Sequence, residues 1–138
     1  MWTQSEAWDI DPKGWGLTVI RSEDSPGLSK DRGLIYQGAN SGYQAINLAY
    51  HLGGNPIILL GYDMKGVGVH WFGKHQSPGL STMTDYGGLV KRFDTINPDD
   101  YGIEIINCSR DTALNFPRMT LDQACNYIGH RAKPGGPA

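Results

Sequence analysis

No stretch of this sequence approaches the ~18 consecutive apolar residues that a membrane-spanning helix needs, and no basic segment followed by an apolar core opens it as a signal peptide would. The expected compartment is therefore the cytoplasm, with no membrane partner. Cysteine is nearly absent: Cys108 and Cys125 are too few for a disulfide scaffold and lack Cys-x-x-Cys spacing. Both are expected to be free thiols behaving as buried small residues. An excess of positive charge is missing too. Twelve Lys and Arg stand against 14 Asp and Glu, a formal net charge of -2, so there is no basic face to neutralise a run of phosphates and nucleic acid is excluded as a partner. A small anionic ligand is not excluded. Internal repeats and long charged blocks are also lacking.

What is present is 138 residues, enough for one domain that buries roughly two thirds of its unfolded surface. Residues 1–132 are expected to form that domain and 133–138, rich in Pro and Gly, a flexible tail. With 19 Gly and 8 Pro and no period, the domain should be rich in loops and tight turns. Residues 1–15 hold Trp2, Trp8 and Trp15 without a clear period, a composition suited to a lid or an oligomer interface. Gly16 to Arg21 is a short strand candidate, and Ser22 to Arg32, with Pro26-Gly27 and mixed charge, reads as a surface loop.

Gly33 to Gly38 then reads as a buried strand. Ser41 and Gln44 have capping-box spacing, Ala45, Leu48, Ala49 and Leu52 form a helical stripe, and Gly53 supplies a stop, which predicts a helix over about 42–52. Asn55-Pro56 turns the chain into Ile57 to Leu60, an apolar run of the kind buried in a parallel sheet. Right-handed crossover would make the two flanking strands parallel. Further on, Leu89, Val90 and Phe93 predict a helix over roughly 85–95, Ile103 to Asn107 predicts another parallel strand, and Thr120 with Gln123 repeats the capping-box spacing before a helix to about 128. The fold class expected is a small α/β, Rossmann-like three-layer domain with a mostly parallel sheet.

Ligands in such folds collect at the carboxyl ends of the strands. The turn Gly38 to Gly42 leads from a strand into a helix N-terminus, where free N–H groups and the helix dipole favour an anion, so Asn40, Ser41 and Gly42 are candidates for a phosphate. The same pattern is equally met if Ser41 only caps the helix. Gly61, Tyr62 and Asp63 lie at the same end, and Asp63 would serve a ribose hydroxyl, hold a metal, act as a base, or simply organise its loop. His70, Lys74 and His75 sit with Trp71 and Phe72 on a Gly-rich loop that has the composition of an active-site flap. Lys74 and Arg110 are the cations placed to neutralise phosphate, or else solvated surface charges. There is no Gly-Lys-Ser/Thr phosphate loop, no Gly-x-Gly-x-x-Gly, no Gly-x-Ser-x-Gly and no His-Glu-x-x-His. No cofactor and no metal are predicted. His51 and His130 are expected to play no functional part.

Asn40 to Tyr43, the helix ending at Leu52-Gly53, Ile57 to Asp63, the loop with His75, and Asn107-Cys108-Ser109 through Phe116-Pro117 follow an order that resembles bacterial sialyltransferases and their flagellin-glycosylation relatives. That group also includes archaeal hydroxymethylpterin pyrophosphokinase. The phage-encoded members look most similar, and the resemblance covers about residues 33–122. It implies that Asn40 to Gly42 contact a nucleotide, that Gly61 to Asp63 line the same pocket, and that His75 is the general base that deprotonates an acceptor hydroxyl. Tyrosines that hold the leaving phosphate in the family have no counterpart in Met64-Lys65-Gly66; Lys65 or Lys74 would have to substitute. The family's front half has no counterpart before Met1, so the chain is expected to be either the C-terminal half of a longer protein or a short form, one that would suit a homo-oligomer.

Three functions follow as expectations. One is a sialyltransferase-like protein that binds a nucleotide or nucleotide sugar and transfers a glycosyl group. Another is a non-catalytic module that captures a nucleotide signal, as a phage protein blocking host defence would. The third is an assembly protein with a residual pocket.

Overall fold

A computed structural model of the chain describes residues 2–4, 14, 16, 18–66 and 86–131. The elements run β1 (Trp2–Gln4), β2 (Thr18–Glu23), β3 (Leu34–Tyr36), α1 (Ser41–His51), β4 (Ile57–Leu59), α2 (Tyr86–Phe93), a 3-10 turn (Pro98–Tyr101), β5 (Ile105–Asn107) and α3 (Leu121–Arg131). The mixed α/β class expected from the sequence holds, with helices and short parallel strands. No helix among the described residues is long and apolar enough to cross a membrane. His70, Lys74 and His75, together with Trp71, Phe72 and the tail from 133, lie outside the described residues.

The strands form two ladders, β1-β2-β3 and β4-β5, parallel throughout. Within the Trp-rich opening, Trp2–Gln4 form strand β1 and pair in parallel with β2. The expected strand, helix, strand unit is present in order, but β3 pairs with β2 and β4 with β5. The reason lies in α1. The Tyr36 N–H is taken by Asn47 Oδ1 at 2.9 Å, and the Leu34 carbonyl lies 2.8 Å from His51 Nε2. The helix therefore covers backbone groups of β3 that would otherwise be open to a further strand.

The cap of α1 also differs from the expectation. Asn40, not Ser41, is the N-cap, its Oδ1 accepting from Gly42 N–H at 2.7 Å and Tyr43 N–H at 3.2 Å. The buried face is turned accordingly: Tyr43, Ile46 and Asn47 are inside, while Ala45 and Leu52 are exposed. A stripe at 43, 46, 47 and 50 has the same helical spacing as the expected one, and its Asn and Tyr are buried because they are hydrogen-bonded.

One core joins these elements. Tyr43 and Ile46 of α1, Ile57 and Leu59 of β4, Ile105 of β5 and Phe93 of α2 meet in it, each worth roughly 1.5–3 kcal/mol when fully buried. Phe93 packs edge-on against Tyr43 at 5.4 Å and against Tyr62 at 6.1 Å between ring centroids. The segment expected to be a surface loop before β3 begins as the end of β2 and then enters the core. Leu28 is buried there; Gly27 N–H donates to Thr95 Oγ1 at 2.9 Å, Leu28 N–H to Tyr101 Oη at 2.8 Å, and Tyr43 Oη–H to the Gly27 carbonyl at 2.6 Å. Pro26-Gly27 turns the chain inward.

Helix α3 opens on the capping box expected from Thr120 and Gln123. Thr120 N–H donates to Gln123 Oε1 at 2.8 Å and Gln123 N–H to Thr120 Oγ1 at 3.2 Å. Its start lies by the exit of β5, where Cys108 Sγ is 3.9 Å from the Thr120 carbonyl. Its last turns lie by the entrance, where Tyr127 Oη donates to Glu104 Oε2 at 2.5 Å and Arg131 pairs with Glu104. These bonds hold the Glu104 carboxyl below its ordinary pKa, Tyr127 more than Arg131. Helix α3 thus runs antiparallel to β5 and brings its N-terminus to the carboxyl end of the strands.

Candidate functional site

Several candidates from the sequence do converge at that end, and Tyr62 is the side chain that joins them. Its N–H donates to Ser109 Oγ at 2.7 Å, its carbonyl accepts from Thr112 Oγ1 at 2.6 Å and from Asn107 Nδ2 at 3.2 Å, and its hydroxyl donates to the Gly42 carbonyl at 3.1 Å. The exits of β4 and β5 and the start of α1 are thereby fixed to one another. Burial raises the Tyr62 pKa, so the phenol stays neutral and can keep donating. Gly61 makes the turn out of β4 with φ of 73°, in the left-handed region that glycine occupies without strain.

Asn107, wholly buried, sets the second loop. Its Oδ1 accepts from Ser109 N–H at 2.9 Å while its Nδ2 donates to Thr112 Oγ1 at 3.0 Å as well as to Tyr62. The chain after β4 is tied to the same loop by Ala113 N–H, which donates to the Asp63 carbonyl at 2.8 Å, and by an ion pair between Lys65 and Asp111. Lys65 is consequently committed to Asp111 and holds that carboxyl below its ordinary pKa. Asp63 is exposed, and its side chain makes no hydrogen bond or ion pair among the described residues.

The start of α1 is more occupied than its sequence suggested. Asn40 takes up the Gly42 and Tyr43 N–H groups, and the Tyr62 ring lies over Gly42 so closely that an added Cβ would meet Tyr62 Cε1 at 2.9 Å. Gly42 therefore serves this close approach. Ser41 remains exposed.

An open cleft of about 690 Å³ lies beside these residues, bounded by Leu60 at the end of β4, by Cys108, Ser109 and Arg110 after β5, and by Arg118 and the start of α3. Of the residues singled out from the sequence, Arg110 lines it; Asn40, Ser41, Gly42, Gly61, Tyr62 and Asp63 lie at the same end of the strands but not on its walls. Arg118 was missed. Its backbone forms an isolated parallel bridge with Asn107, which sets a residue of the connecting segment beside a strand end. The signal was the capping box itself, since a cation two residues before the capping Thr120 stands where an anion would meet the dipole. Arg118 donates to the Arg110 carbonyl at 2.5 Å. No carboxylate is among the lining residues while two arginines are, a balance that suits an anion.

Cys108 is half-buried at the cleft wall, and burial, with a smaller contribution from Cys125, raises its thiol pKa. Cys125 is exposed, contrary to the expectation that both cysteines are buried. Among the described residues no group of three metal-ligating side chains comes together. No family model, curated protein or solved structure matches the chain.

Proposed function

We propose that this chain binds a phosphorylated, nucleotide-like small molecule in the cleft at the carboxyl ends of β4 and β5, within a Rossmann-like three-layer arrangement. The observation that carries the reading is the cleft wall, where Arg110, Arg118 and the N-terminus of α3 stand together with no carboxylate among the lining residues. Its volume falls within the roughly 300–1,000 Å³ range of small-molecule sites. Parallel strands whose carboxyl ends carry the ligand are the rule for doubly wound sheets.

The resemblance to sialyltransferases supplies the reaction that goes with this site: transfer of a glycosyl group from a nucleotide-activated donor, with His75 removing the proton of the acceptor hydroxyl and the nucleotide leaving with its phosphate. A cytoplasmic homo-oligomer belongs to the same reading. One observation favours the second reading, a module that captures a nucleotide without turning it over. The start of α1, which touches the nucleotide in the family, is here capped by Asn40 and covered by Tyr62.

Thermal shift across nucleotides, nucleotide sugars and cyclic nucleotides tests the proposal, because a ligand at 100 times its Kd adds about 2.7 kcal/mol to the folded state. A shift that is lost in Arg110→Glu is expected. The absence of any shift across the panel would refute the nucleotide reading. Turnover of a nucleotide sugar that disappears in His75→Ala would select the transferase, and recovery of unchanged ligand the binding module.

A further inference from the structure

We infer that the cleft selects a terminal, dianionic phosphate over a phosphodiester, with Arg118 as the fixed anchor and Leu60 and Leu121 as the seat for the apolar group the phosphate carries. This rests on the nucleotide-binding reading, narrows it to one ligand class, and favours the binding module over the transferase, whose nucleotide-sugar donor carries no terminal phosphate monoester.

The two guanidinium groups differ in how they are held. Arg118 donates through Nη2 to the Arg110 carbonyl at 2.5 Å, which fixes its planar fork while most of its five N–H donors stay uncommitted. The Arg110 guanidinium is exposed and makes no hydrogen bond or ion pair among the described residues. Asp111 lies near enough for Arg118 to help lower its carboxyl pKa, but Asp111 is paired with Lys65. Two positive charges therefore stand at one wall, neither of them ion-paired among the described residues. A phosphate monoester brings about 1.5 to 2 negative charges at neutral pH, a diester only one.

A buried donor adds to the arginines. Ser109 lines the cleft at 6 % exposure, and its Oγ already accepts from Tyr62 N–H. Its own proton has no acceptor among the described residues, an unspent buried donor of the kind that calls for a partner. The first N–H groups of α3 are further donors at the same place, since the capping box uses only those of Thr120 and Gln123. Beside this polar corner, Leu60 is 59 % exposed and Leu121 51 %. A flat apolar group such as a base, laid over both leucines while its phosphate meets the arginines, takes them out of water. Anion donors and bare leucines in one cleft fit an amphiphilic monoester better than inorganic phosphate.

The test is calorimetric titration of the full chain with the adenosine, guanosine, cytidine and uridine 5′-monophosphates, their 3′,5′-cyclic counterparts and inorganic phosphate, all at one salt concentration. At least one monophosphate should bind about tenfold or more tighter than its cyclic form, and tighter than inorganic phosphate, the scale set by one or two charge-assisted hydrogen bonds. Arg118→Gln should abolish the preference, Arg118→Lys should restore it only in part because the fork is lost, and Arg110→Gln should weaken the monophosphate about tenfold. Because the Arg110 side chain is exposed and unbonded, that variant keeps the test decisive even if Arg118→Gln fails to fold. Cyclic forms that bind as tightly as monophosphates, through the same arginines, would overturn the inference and leave the nucleotide site standing. A monophosphate preference that survives in both glutamine variants would overturn the placement. Binding by none of these probes would overturn the inference and the nucleotide reading together.

Discussion

Replacing Asn47 by leucine tests the account of why β3 ends its ladder where it does. Asn47 is wholly buried, and its amide serves three backbone groups: Oδ1 accepts from Ser29 N–H and Tyr36 N–H, both at 2.9 Å, and Nδ2 donates to the Ser29 carbonyl at 3.1 Å. Leucine has nearly the same shape, so packing changes little, but all three partners lose their hydrogen bonds at once. An orphaned buried group costs about 1–3 kcal/mol. Ser29 is buried, whereas Tyr36 is half-buried and water reaches it in part, which places the total near 3–6 kcal/mol. That is a large share of the 5–15 kcal/mol that ordinarily separates folded from unfolded domains. Urea unfolding followed by far-ultraviolet circular dichroism gives the number directly. A loss below about 1 kcal/mol with an unchanged slope would refute the reasoning, because it would mean that these backbone groups find other partners without cost.

Two further outcomes follow from the same contacts. Gly38→Ala should cost about 2–4 kcal/mol in the same assay, from strain at a left-handed position and from overpacking, because Gly38 has φ of 51° and an added Cβ would meet Tyr43 Cγ at 2.2 Å. Stability should also fall as the pH rises past the ordinary tyrosine value of 10.0, because burial raises the pKa of both Tyr43 and Tyr62. An acid with a raised folded pKa contributes its stability below the unfolded pKa and loses it as the pH climbs through the folded one. The decline measured by denaturant titration above pH 10.0 should be shallower in Tyr62→Phe than in the parent chain.

The elements were largely legible because local chemistry sets them. The Thr120 and Gln123 pair announced α3, Gly53 and Pro56 bounded α1 and β4, and the apolar runs marked β4 and β5. What escaped the sequence depends on partners far away in it. Asn47 looks polar and therefore outward-facing until Ser29 and Tyr36 are seen to need it, which is why the expected stripe of Ala45, Leu48, Ala49 and Leu52 turns so that only Leu48 and Ala49 are partly buried. Asn40 and Ser41 are both good caps, and periodicity cannot choose between them; the bonds to Gly42 and Tyr43 do. Leu28 reads as one apolar residue in a charged loop, yet the hydroxyls of Thr95 and Tyr101 draw its segment inward. At the site, Arg110 was legible from its position after a strand, while for Arg118 the capping box at Thr120 and Gln123 was the local signal, and only the bridge to Asn107 sets it beside the strand end.

The most direct test of the central claim is a nitrogen-15 NMR titration of the chain with the nucleotide that gives the largest thermal shift. The cleft reading predicts that the largest changes fall on the side-chain Nε–H signals of Arg110 and Arg118 and on the backbone amides of Ser109 and of Leu121 to Gln123. Changes centred on Asn40 to Gly42, with the arginine signals unmoved, would contradict it and move the ligand to the start of α1.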